Sequence, residues 1–273
     1  MKFLGNVLAV IVGLFAFSIV ALLIVFALLG MIASSSEEEV TLEKNSILHL
    51  DLNGRTLVER TSEEDLVFGS FLDPFGGDNS AGLVNLKKAI AEAKTNENIK
   101  GIYLNAGLFG AGQAGLLELR EALQDFKESG KFIIAYDEAY SEGGYFLASV
   151  ADEIYLNPLG GIDFNGFSSE GIFLKGFFEK VGIKPEVFRV GEFKSAVEPF
   201  ILDKMSPENR LQTQYFLDDI NSHAIDLIAE SRKIAKDSLI KINHQMLVRK
   251  PKDAVTYKLA TALKYEDEVH SIL

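Results

Sequence analysis

From Val7 to Ala33 the chain sets 27 residues in a row without a charge, most of them Val, Ile, Leu, Phe and Ala. At the rise of an α-helix, about 20 such residues cross the hydrocarbon core of a bilayer. The run therefore predicts one transmembrane helix with a little length to spare. A cleaved secretory signal has a shorter apolar stretch, roughly 7–15 residues, although the small residues Ala33-Ser34-Ser35-Ser36 keep cleavage open as an alternative. Lys2 precedes the run and Glu37, Glu38 and Glu39 follow it. The lone positive charge places the N-terminus in the cytoplasm and the body outside it. The division this predicts is 1–36 for tip, anchor and start of a stalk, and 37–273 for a folded body.

Beyond the stalk, residues 46–52 alternate apolar and polar as a strand does, and Asn53-Gly54 marks a turn. Residues 73–82 read as a loop by composition. Residues 83–93 read as a helix with Leu83, Leu86, Ile90 and Ala93 on one face, followed by a short buried strand at 101–104. A glycine-rich loop at 107–115 leads to a helix over 116–128, its face formed by Leu116, Leu119, Leu123 and Phe126, and then to a strand at 131–136. A helix over 143–150, a strand at 153–156, a helix over 171–181 and a strand at 186–190 follow. Ser206-Pro207 opens a long helix running to Arg232, because Ser caps a helix and Pro is tolerated at its first position. Its inward residues are expected to be Leu211, Tyr215, Ile220, Ala224, Leu227 and Ile228. Strands separated by helix-length segments predict βαβ units, a mostly parallel sheet and an α/β fold.

Composition narrows the chemistry. With 27 basic against 39 acidic residues, net charge −12, the chain lacks the clustered Lys and Arg that nucleic acid demands. No cysteine is present, which rules out disulfides, thiolate nucleophiles and Cys-based zinc sites. The histidines are His49, His223, His244 and His270, so none lies between residues 50 and 222, where the loops after the central strands should line a cleft. They read as surface or interface histidines. A Ser-His-Asp triad and a His-Glu-x-x-His zinc site are both disfavoured, and no cofactor is expected. The loop at 107–115 contains Gly110-Ala111-Gly112, but Leu116 stands where a dinucleotide fingerprint needs its last glycine and no Lys-Ser or Lys-Thr follows. It reads as a tight strand-to-helix turn, whose backbone amides could bind an anion or a developing oxyanion.

One segment is chemically unusual: Phe188-Arg189-Val190-Gly191-Glu192-Phe193-Lys194-Ser195-Ala196-Val197-Glu198-Pro199-Phe200. Lys194 leaves the expected strand with Phe193, Ala196, Val197 and Phe200 around it. Desolvation disfavours the ammonium form, and a lysine so neutralised can take a proton from a serine hydroxyl. On composition alone, a solvated lysine is the ordinary reading.

The same segment resembles the lysine motif of the signal peptide peptidase A family, bacterial membrane-bound Ser-Lys proteases. The resemblance runs through Gly191–Phe200, Asp203-Lys204-Met205-Ser206-Pro207, the stretch 140–149, Ala151-Asp152-Glu153-Ile154-Tyr155-Leu156 and Gly166-Phe167, and includes the leading anchor. It implies a ClpP/crotonase-like fold and Lys194 as general base. In that family the nucleophile sits in a Ser-Gly-Gly-Tyr turn. Here the turn reads Glu142-Gly143-Gly144-Tyr145, with Glu142 in the serine position and Ser141 one residue early. Lys194 follows 52 positions later. A double-length form of the family carries the lysine in its first domain and the serine in its second, and this chain resembles the first. The resemblance therefore implies a serine supplied by a missing domain or a partner chain, with Ser141 as a poor substitute. It further implies signal peptides or other peptides as substrate, a homo-oligomer, and a body held at the outer face of the bacterial inner membrane. A non-catalytic, membrane-anchored peptide-binding or scaffold subunit is the alternative. An acyl-CoA enzyme of the crotonase type is a weaker third, since CoA substrates do not belong outside the cytoplasm.

Overall fold

The computed structural model describes residues 2–34, 42–61, 79–191 and 193–273. The chain divides into two compact units, Met1–Glu43 and Lys44–Leu273. The first is a helix, α1 (Lys2–Ser34). Its stretch Gly5–Ala27 is long and apolar enough to cross a membrane, with mean hydropathy 3.1 over its most apolar window and none of that window buried against protein.

The second unit is built on a five-stranded sheet whose neighbouring strands are all parallel. Its order is β1 (Ser46–Asp51), β4 (Ile99–Asn105), β5 (Phe132–Tyr140), β6 (Glu153–Ile162) and β7 (Ala262–Leu263). A parallel pair β2 (Thr56–Val58) and β3 (Ser80–Gly82) lies apart from it. The crossovers are α2 (Leu83–Thr95), α3 (Gln113–Lys127) and α4 (Glu142–Ala148). The central strands are nearly continuous runs of apolar residues because both faces are covered, as parallel sheets require. Ile102, Leu104, Ile133, Ala135, Ile154 and Leu156 pack towards Ile90, Leu119, Leu123 and Phe126 of the crossover helices. Tyr103, Ile134, Tyr136 and Tyr155 on the other face pack against Val269 of α10 (Glu266–His270).

After β6 the chain leaves the body in a long arm. It carries only α5 (Lys175–Val181), a 3-10 turn at Ser195–Val197 and α6 (Glu198–Ile201), before α7 (Pro207–Arg232) returns to the core. α8 (Lys236–His244) and α9 (Pro251–Thr256) complete the unit. The Ser206 hydroxyl caps α7 by accepting from Asn209 N, with Pro207 at the first helical position, as the sequence predicts.

The α/β expectation holds, with three local corrections. Residues 186–190 form no strand; the sheet ends at β1 and β7, and this segment reaches neither edge. The helix expected over 171–181 is confined to Lys175–Val181. Of the loop expected at 73–82, residues up to 78 lie outside the described residues, and Ser80–Gly82 is a strand rather than loop. The inward face expected for α7 is met only in part. Ile228 is buried and Ala224 and Leu227 pack half-buried on the core, joined by the buried Ile225 outside the expected set, while Leu211 and Tyr215 are exposed because the first half of the helix extends past the body.

Candidate active site

β5 ends at Tyr140, and the chain turns at once into α4. This places the turn at the carboxyl edge of a parallel sheet, where α/β folds bind ligands. Ser141 is the N-cap: its Oγ accepts from Gly144 N at 3.1 Å and donates to Gly107 O at 2.9 Å, while its own N–H bonds the same carbonyl at 2.8 Å. The hydroxyl is thus committed to holding the turn. Gly144 has to be glycine, since a Cβ there would overlap the carbonyl oxygens of Ala106 and Gly107.

Glu142 occupies the position where the family resemblance expects a serine. Its carboxylate accepts from Asn165 N at 3.0 Å, Gly166 N at 3.2 Å and Asn243 Nδ2 at 3.3 Å. Burial pushes its pKa up to about 7 against the pull of these hydrogen bonds. The carboxylate therefore ties the end of β6 to α4 and to α8. It faces a narrow cleft shared with Leu116, Phe146, Phe164 and Phe167.

The glycine-rich loop beside this turn does not offer free amides for an oxyanion at the positions that are bonded. Ala106 N and Gly107 N both donate to Asp137 Oδ2, at 2.8 and 2.7 Å, and Leu108 N donates to Asn53 Oδ1 at 3.0 Å. Asn53 Nδ2 in turn donates to Asp137 Oδ1 at 2.7 Å. Burial raises Asp137 to about 6 despite these donors. In the sequence Asp137 carries one signal, a charge inside the largely apolar strand run Phe132–Tyr140.

Lys194 sits on the arm, at the entry to the 3-10 turn and not at the end of a strand. It is exposed, as are Phe193 and Phe200 beside it, so the apolar company expected from its neighbours does not enclose it in this chain. With the described residues, its Nζ makes no hydrogen bond or ion pair, and in particular none with Ser141 or Glu142. The arm and the first half of α7 expose Phe188, Val190, Leu211, Tyr215 and Phe216 as well, with Phe188 at 95% and Val190 at 90%. All four histidines are exposed. His49 hydrogen-bonds Asn105 Oδ1 and lies against Tyr103, away from the turn.

The model of peptidase family S49 matches residues 125–273, more than half of the chain and all of the segment from β5 to α10. The chain belongs to peptidase family S49. Among curated S49 relatives it is 35% identical over 246 residues to Protease 4 of Haemophilus influenzae, a match covering 88% of this chain and 40% of that protein. It is 30% identical over 193 residues to the chloroplastic serine protease SPPA of Arabidopsis thaliana, covering 70% and 28%. The chain thus spans well under half the length of these S49 relatives. A solved membrane-bound stomatin-specific protease aligns over 84% of this chain and 85% of its own, at 15% identity and TM-score 0.44. That likeness is loose, and the α/β description rests on strand order and pairing instead.

Proposed function

We propose that this S49 chain is the lysine-bearing component of a membrane-anchored serine endopeptidase that degrades cleaved signal peptides. In this reading Lys194 is the general base of a Ser-Lys dyad, and the serine comes from a further domain or a partner chain. The state of the turn at Ser141–Tyr145 carries it. Position 142 opens α4 directly after β5, and it holds a carboxylate bonded to three donors. The adjacent hydroxyl of Ser141 is spent as a helix cap. In this reading the attacking oxygen arrives from that further domain or partner chain.

The chemistry then asks for two events. A neighbour must cover Lys194, since desolvation is what disfavours the ammonium form of a lysine. The same neighbour must bring a serine Oγ within hydrogen-bond reach of Nζ. The exposed apolar residues Phe188, Val190, Phe193 and Phe200 on either side of Lys194 suit such a cover and support a homo-oligomer or a docked serine-bearing domain. Once covered, Nζ would take the hydroxyl proton as Oγ attacks the peptide carbonyl, and return it to the leaving amine. We place the assembly at the bacterial inner membrane, anchored by α1 with the body outside the cytoplasm.

Glu142 also favours a second reading, a non-catalytic anchored subunit that binds peptide or scaffolds an assembly. Turnover of a signal peptide by the full chain in detergent separates the cases. The chain alone is expected to be inactive, and a mixture with a serine-bearing S49 chain active and silenced by Lys194→Ala. Turnover by the chain alone that survives Ser141→Ala would falsify the absence of a nucleophile. A mixture indifferent to Lys194→Ala leaves the scaffold reading.

A further inference from the structure

Between Phe164 and Ile225 one residue among those described is buried, and it is a carboxylate. Glu198, the first residue of α6, has a fully enclosed side chain although the chain around it is exposed or half-exposed. A carboxylate taken out of water is unfavourable unless it is paired and hydrogen-bonded. A segment with so little core of its own has no packing reason to hold one.

Its partners are specific. Oε1 accepts from Ser206 Oγ at 2.5 Å, and Oε2 accepts from Ser206 N at 3.1 Å and Asn209 Nδ2 at 2.9 Å. Ser206 caps α7, so Glu198 fastens the lysine motif to the start of a helix whose far end, at Ile225 and Ile228, is set in the core. Burial works to raise its pKa, but the Ser206 and Asn209 donors and Arg189 hold it below the ordinary carboxylate value. Arg189 links the same carboxylate to the lysine. Its Nη1 lies 3.8 Å from Glu198 Oε1 and donates to the backbone carbonyl of Lys194 at 3.4 Å. One guanidinium nitrogen therefore joins the buried carboxylate to the backbone of Lys194 itself.

We propose that Glu198 is a positioning residue for Lys194, fixing through Arg189 the backbone from which the lysine side chain projects. This role rests on the reading of Lys194 as the general base. The arrangement explains how a lysine on an exposed arm can hold one location before any neighbour covers it. Preorganisation of this kind lets a docking serine meet the amine without first paying to order the loop.

The test uses the full chain in detergent with Glu198→Gln, Arg189→Gln and Arg189→Lys, first by backbone hydrogen exchange and then in the serine-bearing mixture. In both Gln variants, amides of residues 193–197 are expected to exchange at least about tenfold faster, while β4 to β6 keep their protection. Their kcat falls about a hundredfold, the order expected for a displacement near 1 Å, with KM little changed. Arg189→Lys can still set one ammonium between the two acceptors and keeps most of the rate. Wild-type exchange and kcat in both Gln variants would overturn the positioning role. So would loss of protection throughout the body with Arg189→Lys equally damaged, which makes the cluster a folding element only. Failure of the base reading looks different: Lys194→Ala then leaves turnover intact whatever the Glu198 and Arg189 variants do.

Discussion

Asn243 on α8 donates from Nδ2 to Oε1 of Glu142 at 3.3 Å, joining positions 101 residues apart. Asn243 is itself buried, and its Oδ1 accepts from Asn221 of α7. The residue in the expected nucleophile position is therefore the inner end of a polar chain that binds α4, α8 and α7 together.

Stability should consequently depend on the protonation of Glu142. Its folded-state pKa is raised, so its favourable contribution is complete below the unfolded value near 4.5 and is lost as pH rises through about 7. The loss amounts to roughly 3 kcal/mol from Glu142. Asp137, raised to about 6, acts with the same sign over a lower window. Urea unfolding from pH 4.5 to 8 should show falling stability, and Glu142→Gln should flatten the upper part of that curve. A wild-type curve that rises across this range would contradict the assignment.

Gly144→Ala is expected to be severe. The added Cβ meets two backbone carbonyls, which have no flexible side chain to swing aside, and the overlap should cost more than about 3 kcal/mol. Melting temperature reads this directly. Gly112→Ala, where a Cβ meets nothing within 4 Å, is the matched control and should melt near wild type.

Arg120 is a cation buried at 4% exposure, and burial lowers its pKa to about 10. It donates to Phe146 O, Ser149 Oγ, Leu227 O and Ser231 Oγ, pinning α3 to α4 and α7. Arg120→Ala removes the hydrogen bonds to these four acceptors and the packing of the buried side chain and should cost about 3 kcal/mol, seen as a lower urea midpoint. Arg120→Lys cannot reach all of them from one nitrogen and should recover only part.

Phe188→Asp and Phe216→Asp should leave the melting temperature of the isolated chain unchanged within about 0.5 kcal/mol of stability, because both side chains already face solvent. Under the proposed assembly the same variants should lower the mass measured by sedimentation in detergent. A mass that does not respond places the contact on another surface.

Helices with a full apolar face were legible from the sequence to within a few residues: 83–93 became Leu83–Thr95, and 116–128 became Gln113–Lys127. Periodicity works there because one side packs on the sheet. Apolar content misleads on the arm, where residues 186–190 read as a strand but find no edge to pair with, and where Leu211 and Tyr215 keep helical spacing on a part of α7 that meets no core. The candidate site was half legible. Lys194, Glu142 and Ser141 stood out through a motif, whereas Asp137 and Arg120 lay outside any, and Glu198 sat inside the lysine motif with nothing to mark its role. In sequence they are three charges among many. Only the folded backbone brings the amides of Ala106 and Gly107 to one, the helix ends to another, and Ser206 to the third.

Gly144 and Ser141 are held by packing and capping demands that operate whether or not any bond is cleaved. The pair of glycines that a peptidase would use to present its serine is here a joint of the scaffold, and losing it would cost the protein its fold before it cost a reaction.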